Sequence, residues 1–273
     1  MKIKTVIPEA AFSLENLLSP KECEEFKQRA RDEGIDSHKP KGDMRHLNAL
    51  VIHFYDQELA DRIFKRLQDN GALSEIVVDD SSQNNDGLKH SLDKLRGHWR
   101  PVGVNDRFLV SRYDSLGHLG PHRDDGIIKD EHCRSLFTLL GYLTDRPEGC
   151  GGATRFIQDD LVLEKREDDL WLSPEDSVRH RIEADQAGKA LMFLHDLMHD
   201  SEQLQEGDPP KWIFRTDIVF ERDPETAPQL TDSEMKARAF LDKAEAMERK
   251  GDLVSAMKLY TKAYRLDPSL EHP

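Results

Sequence analysis

Between Tyr113 and Asp124 the chain reads YDSLGHLGPHRD, and far downstream it reads HDLMHD from His195 to Asp200. A His-x-Asp pair, His122 and Asp124, followed by a distant histidine is a donor set for one divalent metal. Two imidazoles and one carboxylate on one face leave three positions open, which lets an Fe(II) ion hold a co-substrate and O2 together. On an extended segment residues two apart project to the same side, so His122 and Asp124 can take adjacent positions on one metal. The third ligand must then arrive from another strand. His199 stands after the apolar run ALMFL and before an acidic turn, and His195, four residues earlier, is its competitor. Further on, Lys211 and Arg215 share one face of an apolar strand, and either can reach into a barrel to pair with a carboxylate. A dicarboxylate co-substrate needs such an anchor at its far end.

His118 and His122 also make an HxxxH spacing, the pattern of a helical zinc site. Gly117, Gly120 and Pro121 oppose a helix there and no Glu follows the first His, so the required context is missing. His38, His53, His90, His98, His180 and His272 carry no partner pattern and read as ordinary histidines.

The elements that must position these residues fall into two kinds. Residues 12 to 34 open with a helix signal: Ser19 caps, Pro20 takes the first helical position, Glu22 completes a capping box and Gly34 closes. A second amphipathic helix runs from Gln57 to about Gln68, with Leu59, Ile63, Phe64 and Leu67 on one stripe. From Asp69 to Gly97 the chain is polar and turn-rich, and reads as an insertion or a mobile loop near a site. From Arg107 the character turns to strand: RFLVSRY, SLFTLLGYLTD, ATRFIQ, ALMFLHD and KWIFRTDIVFE are short apolar or alternating runs between Gly, Pro and Asp clusters. That favours an antiparallel sandwich or barrel over repeated βαβ units. With helices outside it, the class is α+β.

Length and charge set bounds. At 273 residues one large domain with an appendage is feasible. Charged residues make up 34 %, above the roughly 25 % usual in globular chains, so the surface is well solvated. The net charge of −14 argues against a surface that tracks phosphates, and nucleic acid is an unfavoured partner. Cys23, Cys133 and Cys150 form no CxxC pair and are odd in number, which suggests neither a disulfide framework nor a thiolate zinc site. No signal-peptide pattern or apolar run of about 18 residues is found, so the expectation is a soluble cytoplasmic or nuclear protein without a membrane span.

After Arg222 the stretch 223–234 is polar, contains proline and reads as a linker. Residues 235–273 change period again. Ala244, Gly251, Ala256, Tyr260, Ala263 and Pro268 occupy the small, turn, aromatic and proline positions of a helix-turn-helix repeat of about 34 residues, and the segment 237–270 is similar to a single tetratricopeptide repeat. Such units bury their apolar faces by stacking, so a lone hairpin is expected to dock on the barrel, bind a partner or continue a longer array. An ordinary C-terminal helical hairpin is the plainer alternative.

The chain resembles the 2-oxoglutarate and Fe(II)-dependent dioxygenases of the prolyl 4-hydroxylase type. The resemblance runs from LLSPKECEEFKQRARDEGI through WRPVGVNDRFLVSRY, HRDD, SLFTLLGYLTD, GGATRF and GKALMFLHDLMHD to KWIFRTDIVF, about residues 12 to 222. It implies a double-stranded β-helix, or jelly roll, whose mouth holds iron, over a domain of residues 1–222. It implies His122, Asp124 and His199 as iron ligands, because the family's distal ligand stands immediately before the turn. It implies that Tyr113 and Tyr142 approach the co-substrate and that Lys211 holds its distal carboxylate. Fe(II), 2-oxoglutarate and O2 are the implied cofactors, with ascorbate as an optional addition.

Three departures stand out. The usual Gly three residues after Tyr113 is Leu116, with Gly117 one step later. Between Gly207 and Lys211 stand Asp208, Pro209 and Pro210 where the family has one residue, so Arg215 remains an alternative anchor. Thr216 and Asp217 replace an aromatic found in collagen-type members. The expected activity is hydroxylation of a C–H bond on a protein or peptide side chain, proline foremost. The alternatives are small-molecule hydroxylation, or a non-catalytic scaffold that binds a partner through the C-terminal repeat.

Overall fold

The computed structural model describes residues 1–38, 46–89, 91–147, 149–159, 164–165 and 171–270. His90 and His272 lie outside them. The chain divides into two compact units, Met1–Glu225 and Thr226–Pro273.

The first unit opens with strands β1 (Lys2–Ile7) and β2 (Ala11–Glu15), then helix α1 (Pro20–Asp32), strand β3 (His46–Tyr55) and helix α2 (Gln57–Asp69). The start of the stretch expected to be helical is thus strand. α1 begins where local chemistry dictates: Ser19 Oγ accepts from the Glu22 N–H, and Glu22 accepts in return from the Ser19 N–H at 2.8 Å. Its buried side is Cys23, Phe26 and Ala30. Phe26 stacks on Phe214 with ring centroids 4.7 Å apart and also meets Phe54 and Phe108, which seats the helix on the sheet. Each phenylalanine so buried contributes about 1.5–3 kcal/mol. α2 is capped by Asp56 and buries Leu59, Ala60, Ile63 and Leu67, while Phe64 is only half-buried.

The polar stretch after α2 is structured, contrary to the expectation of an insertion or mobile loop. It forms β4 (Ile76–Val78), a 3-10 turn at Asp80–Asn84 and the short helix α3 (Leu92–Leu95). Its few apolar residues do the anchoring: Val78, Leu88 and Leu95 enter the core, and the indole of Trp99 donates to the Leu95 carbonyl at 2.6 Å.

The sheet continues with β5 (Gly97–Val104), β6 (Arg107–His122), β7 (Ile128–Asp130), β8 (Cys133–Tyr142), β9 (Thr154–Ile157), β10 (Glu164–Lys165), β11 (Trp171–Leu172), β12 (Val178–Ile182), β13 (Ala190–Leu194), β14 (His199–Ser201) and β15 (Lys211–Arg222). Apart from the β10–β11 pair, the strands form one antiparallel sheet ordered β1-β2-β13-β8-β15-β6-β14-β9-β12, with β3 and β5 on β6 and β15. This barrel-like antiparallel arrangement fits a jelly roll. The long β6 is the strand that matters most for position. Its first half pairs with β15, Tyr113 opposite Lys211, and its second half pairs with β14, His122 opposite His199.

The second unit holds α4 (Asp232–Arg249) and α5 (Leu253–Leu266), which pack on each other. α4 starts inside the stretch read as a linker, because Thr231 and Glu234 form a capping box. Ala244, Ala256 and Ala263 are buried, and Gly251 makes the turn at φ +82°. Among the described residues no helix is long and apolar enough to cross a membrane. All three cysteines are free.

Candidate active site

β6, β14 and the segment after His122 bring His122, Asp124 and His199 together, with one donor atom of each within 4.8 Å of the others. His122 Nε2 and His199 Nε2 each stand 3.7 Å from an Asp124 oxygen. The other ring nitrogens decide the tautomers. His122 Nδ1 donates to the Gly120 carbonyl at 2.8 Å, and His199 Nδ1 donates to the Leu197 carbonyl at 2.9 Å. Each Nε2 therefore presents a lone pair toward Asp124, the orientation a metal requires. Burial, then the neighbouring His199, pushes His122 down to about 4, so the ring is neutral and able to ligate near neutral pH. Burial acts to raise the Asp124 pKa, but Arg215 and the two histidines outweigh it and hold the carboxyl ionised, well below its usual range. Two imidazoles, that of His122 neutral, and an anionic carboxylate fit a divalent cation.

Behind this cluster the strand period sorts the neighbours. In β14, His199 and Ser201 share one side, while Asp200 turns to the other and takes a bidentate pair from Arg155 at 2.8 and 2.7 Å. Ser173 adds a hydrogen bond to Asp200. This buried clamp ties β14 to β9 from behind, and Phe193 packs edge-on against His199 in front.

A second group lies at the other end of the same strands. Lys211 is buried, with Nζ donating to the Gly152 carbonyl at 2.6 Å and to Ser201 Oγ at 2.8 Å. Its ammonium also stands 5.4 Å from the centre of the Tyr113 ring and 5.9 Å from that of Tyr142, whose hydroxyl donates to Thr154. Among the described residues no carboxylate stands within ion-pair distance of it. Burial, then the charge of Arg146, pushes Lys211 down to about 7. Arg146 is also buried and donates to the Gly151 carbonyl at 2.6 Å. Gly152 is at φ +90°, and a Cβ there would stand 3.0 Å from Arg146 and 3.2 Å from Lys211, so only glycine lets both cations approach. An unpaired buried ammonium flanked by aromatic rings fits the far carboxylate of a dicarboxylate.

Arg215, the alternative anchor, is placed elsewhere. Its Nε lies 3.3 Å from Asp124 Oδ1, and Nη2 donates to the Asp125 carbonyl at 2.8 Å and lies 3.3 Å from Asp217 Oδ1. The Pro209–Pro210 pair precedes β15, which starts at Lys211, so the extra residues are absorbed before the strand and leave Lys211 opposite Tyr113. His195, the rival ligand, bonds Thr138 and Ser135 instead of joining the cluster. Residues that carry no motif complete the surroundings: Arg146, Gly152, Ser201 and Thr138, together with Arg123, which pairs with Asp159 at the rim. In the sequence three of them stood only inside the resembling runs, Gly152 in GGATRF, Thr138 in SLFTLLGYLTD and Arg123 within His-x-Asp.

Residues 108–216 match the model of the 2OG-Fe(II) oxygenase superfamily. That segment is a 2OG-Fe(II) oxygenase domain, and the chain is an enzyme of the 2-oxoglutarate-dependent dioxygenase class. No curated protein matches the chain. Among solved structures it is similar to the viral collagen prolyl hydroxylase of Paramecium bursaria Chlorella virus-1, at 18 % identity and TM-score 0.44 over 78 % of this chain and 97 % of that one. It is also similar to a Pseudomonas putida prolyl-4-hydroxylase, at 15 % identity and TM-score 0.45 over 79 % and 94 %. HygX from Streptomyces hygroscopicus, with nickel and 2-oxoglutarate bound, is similar at 14 % identity and TM-score 0.41 over 82 % and 87 %.

Proposed function

We propose that His122, Asp124 and His199 hold Fe(II), that Lys211 with Tyr113 and Tyr142 holds the distal carboxylate of 2-oxoglutarate, and that the enzyme hydroxylates a C–H bond on a protein or peptide side chain. The observation that carries this is the placement along β6 of a three-donor cluster at its end and, opposite Tyr113 near its midpoint, of a buried ammonium with no carboxylate partner among the described residues. Iron held by His122, Asp124 and His199, with 2-oxoglutarate held by Lys211, would supply oxygen activation coupled to oxidative decarboxylation to succinate and CO2.

The chain's own part is binding and orientation. The Gly120 and Leu197 carbonyls fix both imidazoles with Nε2 toward the metal position. Lys211 offers a charge-assisted hydrogen bond at a depth where water cannot compete, which makes that bond stronger than it would be at the surface. Tyr113 and Tyr142 flank the ammonium, and burial keeps both phenols protonated. Proline is the leading target because the ordered series of residues resembles prolyl 4-hydroxylases, while Thr216 and Asp217 weigh against collagen. The two-helix unit is read as a tetratricopeptide-like module for a partner protein, which the exposed Leu253, Val254 and Met257 support.

Purified protein with Fe(II), 2-oxoglutarate and O2 is expected to form succinate without added substrate, and His122→Ala to form none. Lack of both metal binding and succinate in the unaltered protein would refute the reading. A +16 Da change on lysate proteins treated with active enzyme, absent with His122→Ala, would identify the substrate.

A further inference from the structure

By spacing His195 rivals His199, yet both of its ring nitrogens are engaged away from the metal cluster. Nδ1 lies 3.0 Å from Thr138 Oγ1 and Nε2 lies 2.9 Å from Ser135 Oγ. Thr138 in turn donates to Asp124 Oδ2 at 2.6 Å. The proton positions follow from what each partner can do. A carboxylate only accepts, so the single Thr138 proton goes to Asp124; the Thr138 oxygen must then accept, and His195 Nδ1 is its donor. At the far end the Ile127 N–H already donates to Ser135 Oγ at 2.7 Å, which leaves the Ser135 proton for Nε2. The result is a one-way series from Ser135 through His195 and Thr138 to Asp124.

Packing and backbone hold the ring in that series. A Cβ on Gly126 would stand 2.9 Å from His195 Cδ2 and 3.0 Å from Ser135 Oγ, so the imidazole sits in space that any larger residue would claim. The Asp124 N–H donates to the His195 carbonyl at 3.1 Å, and the His195 N–H donates to that of Leu136 at 3.1 Å. On the opposite side Arg215 Nε faces Asp124 Oδ1 at 3.3 Å. The carboxylate therefore takes a hydrogen bond at Oδ2 and an ion-pair contact, without a hydrogen bond, at Oδ1.

We propose that His195 is a positioning residue of the metal centre: by donating to Thr138 it commits the Thr138 proton to Asp124 and fixes that carboxylate in its metal-binding orientation. Without this donor the hydroxyl is free to turn its proton elsewhere, and Oδ2 loses its restraint. The inference rests on the reading of Asp124 as a metal ligand.

Co(II) titrated into the metal-free protein and followed by its visible absorption reads affinity and ligand geometry without turnover. Thr138→Val and His195→Leu are each expected to weaken Co(II) binding on the order of 10–100-fold. His195→Asn, which can still donate to Thr138, should stay within roughly threefold of the unaltered protein, since it keeps the partner that orients the ligand. The Thr138→Val/His195→Leu double variant should bind no more weakly than Thr138→Val alone, because two links of one series are not additive. Additive losses, or unaltered binding by His195→Leu, overturn the proposal. Should His195→Leu fail to fold by circular dichroism, the smaller Ser135→Ala change decides: it must weaken Co(II) binding when Thr138 is present and add nothing to Thr138→Val, and any other result overturns the series. Absence of Co(II) binding by the unaltered protein refutes the metal-site reading itself, an outcome distinct from every comparison among variants.

Discussion

Lys211 and Arg215 stand four residues apart on one strand, and their surroundings assign them opposite work. Arg215 has its counter-charges in place: Asp124 and Asp217 flank the guanidinium, and the Asp125 carbonyl accepts from it. Lys211 has a carbonyl, a hydroxyl and two aromatic rings about its ammonium but, among the described residues, no carboxylate, and it is more deeply buried. Burying a cation without a counter-ion is costly unless another group supplies the charge. The difference separates two kinds of buried cation. One is completed by the fold, and the one left incomplete fits the proposed role of Lys211 as the anchor of 2-oxoglutarate.

The sharpest way to break this comparison is to remove each cation in turn and measure 2-oxoglutarate binding with Ni(II) in place of iron. Lys211→Met should weaken 2-oxoglutarate by about 2–5 kcal/mol, the range for losing one partner of a buried charge pair. Arg215→Met should leave 2-oxoglutarate within about tenfold and instead weaken the metal, since the residue faces a proposed ligand. Equal effects of the two substitutions on 2-oxoglutarate would erase the distinction.

How far the two ends could be read beforehand differs for a physical reason. The proposed metal end announces itself through residue types at short range: His122 and Asp124 are two apart, at the end of β6 and just beyond it, and His199 follows an apolar run. The capping box at Ser19 and Glu22 was equally legible, because its chemistry is complete within four residues. At the anchor end Lys211 could be named, but its depth could not. That depth is set by Arg146, Gly152 and Ser201, which come from separate segments with no shared pattern. Nor does a Pro-Pro insertion reveal whether it shifts a strand or bulges before it. His195 misleads for a related reason: the four-residue spacing to His199 implies a common face only if the strand continues. The chain leaves β13 after Leu194 and re-enters a strand at His199, so the two rings point apart. The polar segment before Gly97 hid its order because three scattered apolar side chains are enough to anchor it.

A subtler test uses pH. Lys211 is held near 7 in the free protein, and pairing with a carboxylate favours its charged form, so the bound complex keeps the proton to higher pH. Affinity for 2-oxoglutarate should therefore be level below about pH 7 and fall above it by up to about tenfold per unit, with a proton taken up on binding near pH 8. Isothermal titration in buffers of different ionisation enthalpy reads that proton directly. Lys211→Arg should bind with a flat profile over the same range, because a guanidinium does not deprotonate there. A flat profile for the unaltered protein would mean that the ammonium is already charged and paired.

The smallest effect is expected at the turn in β6 that lies between the two ends. Leu116 is 43 % exposed and sits at φ +63°, a left-handed conformation at the position where the resembling family usually has glycine. Such a conformation costs a non-glycine residue about 1–2 kcal/mol. Glycine returns part of that through the freedom of its unfolded chain, about 0.5–1 kcal/mol. Leu116→Gly should accordingly raise stability by only about 0.5 kcal/mol, or ~1–2 °C in melting temperature for a chain of this size. Gly117→Ala should do the reverse, because a Cβ there would stand 2.7 Å from the Asp114 carbonyl oxygen. What matters for the comparison is whether binding moves as well. If the turn only connects, both metal and 2-oxoglutarate affinities stay put in Leu116→Gly. If strain at Leu116 is retained because it sets the distance between Tyr113 and His122, the stabilised variant will bind both ligands less tightly, and the anchor and the metal cluster will prove to be spaced by one residue on the strand that joins them.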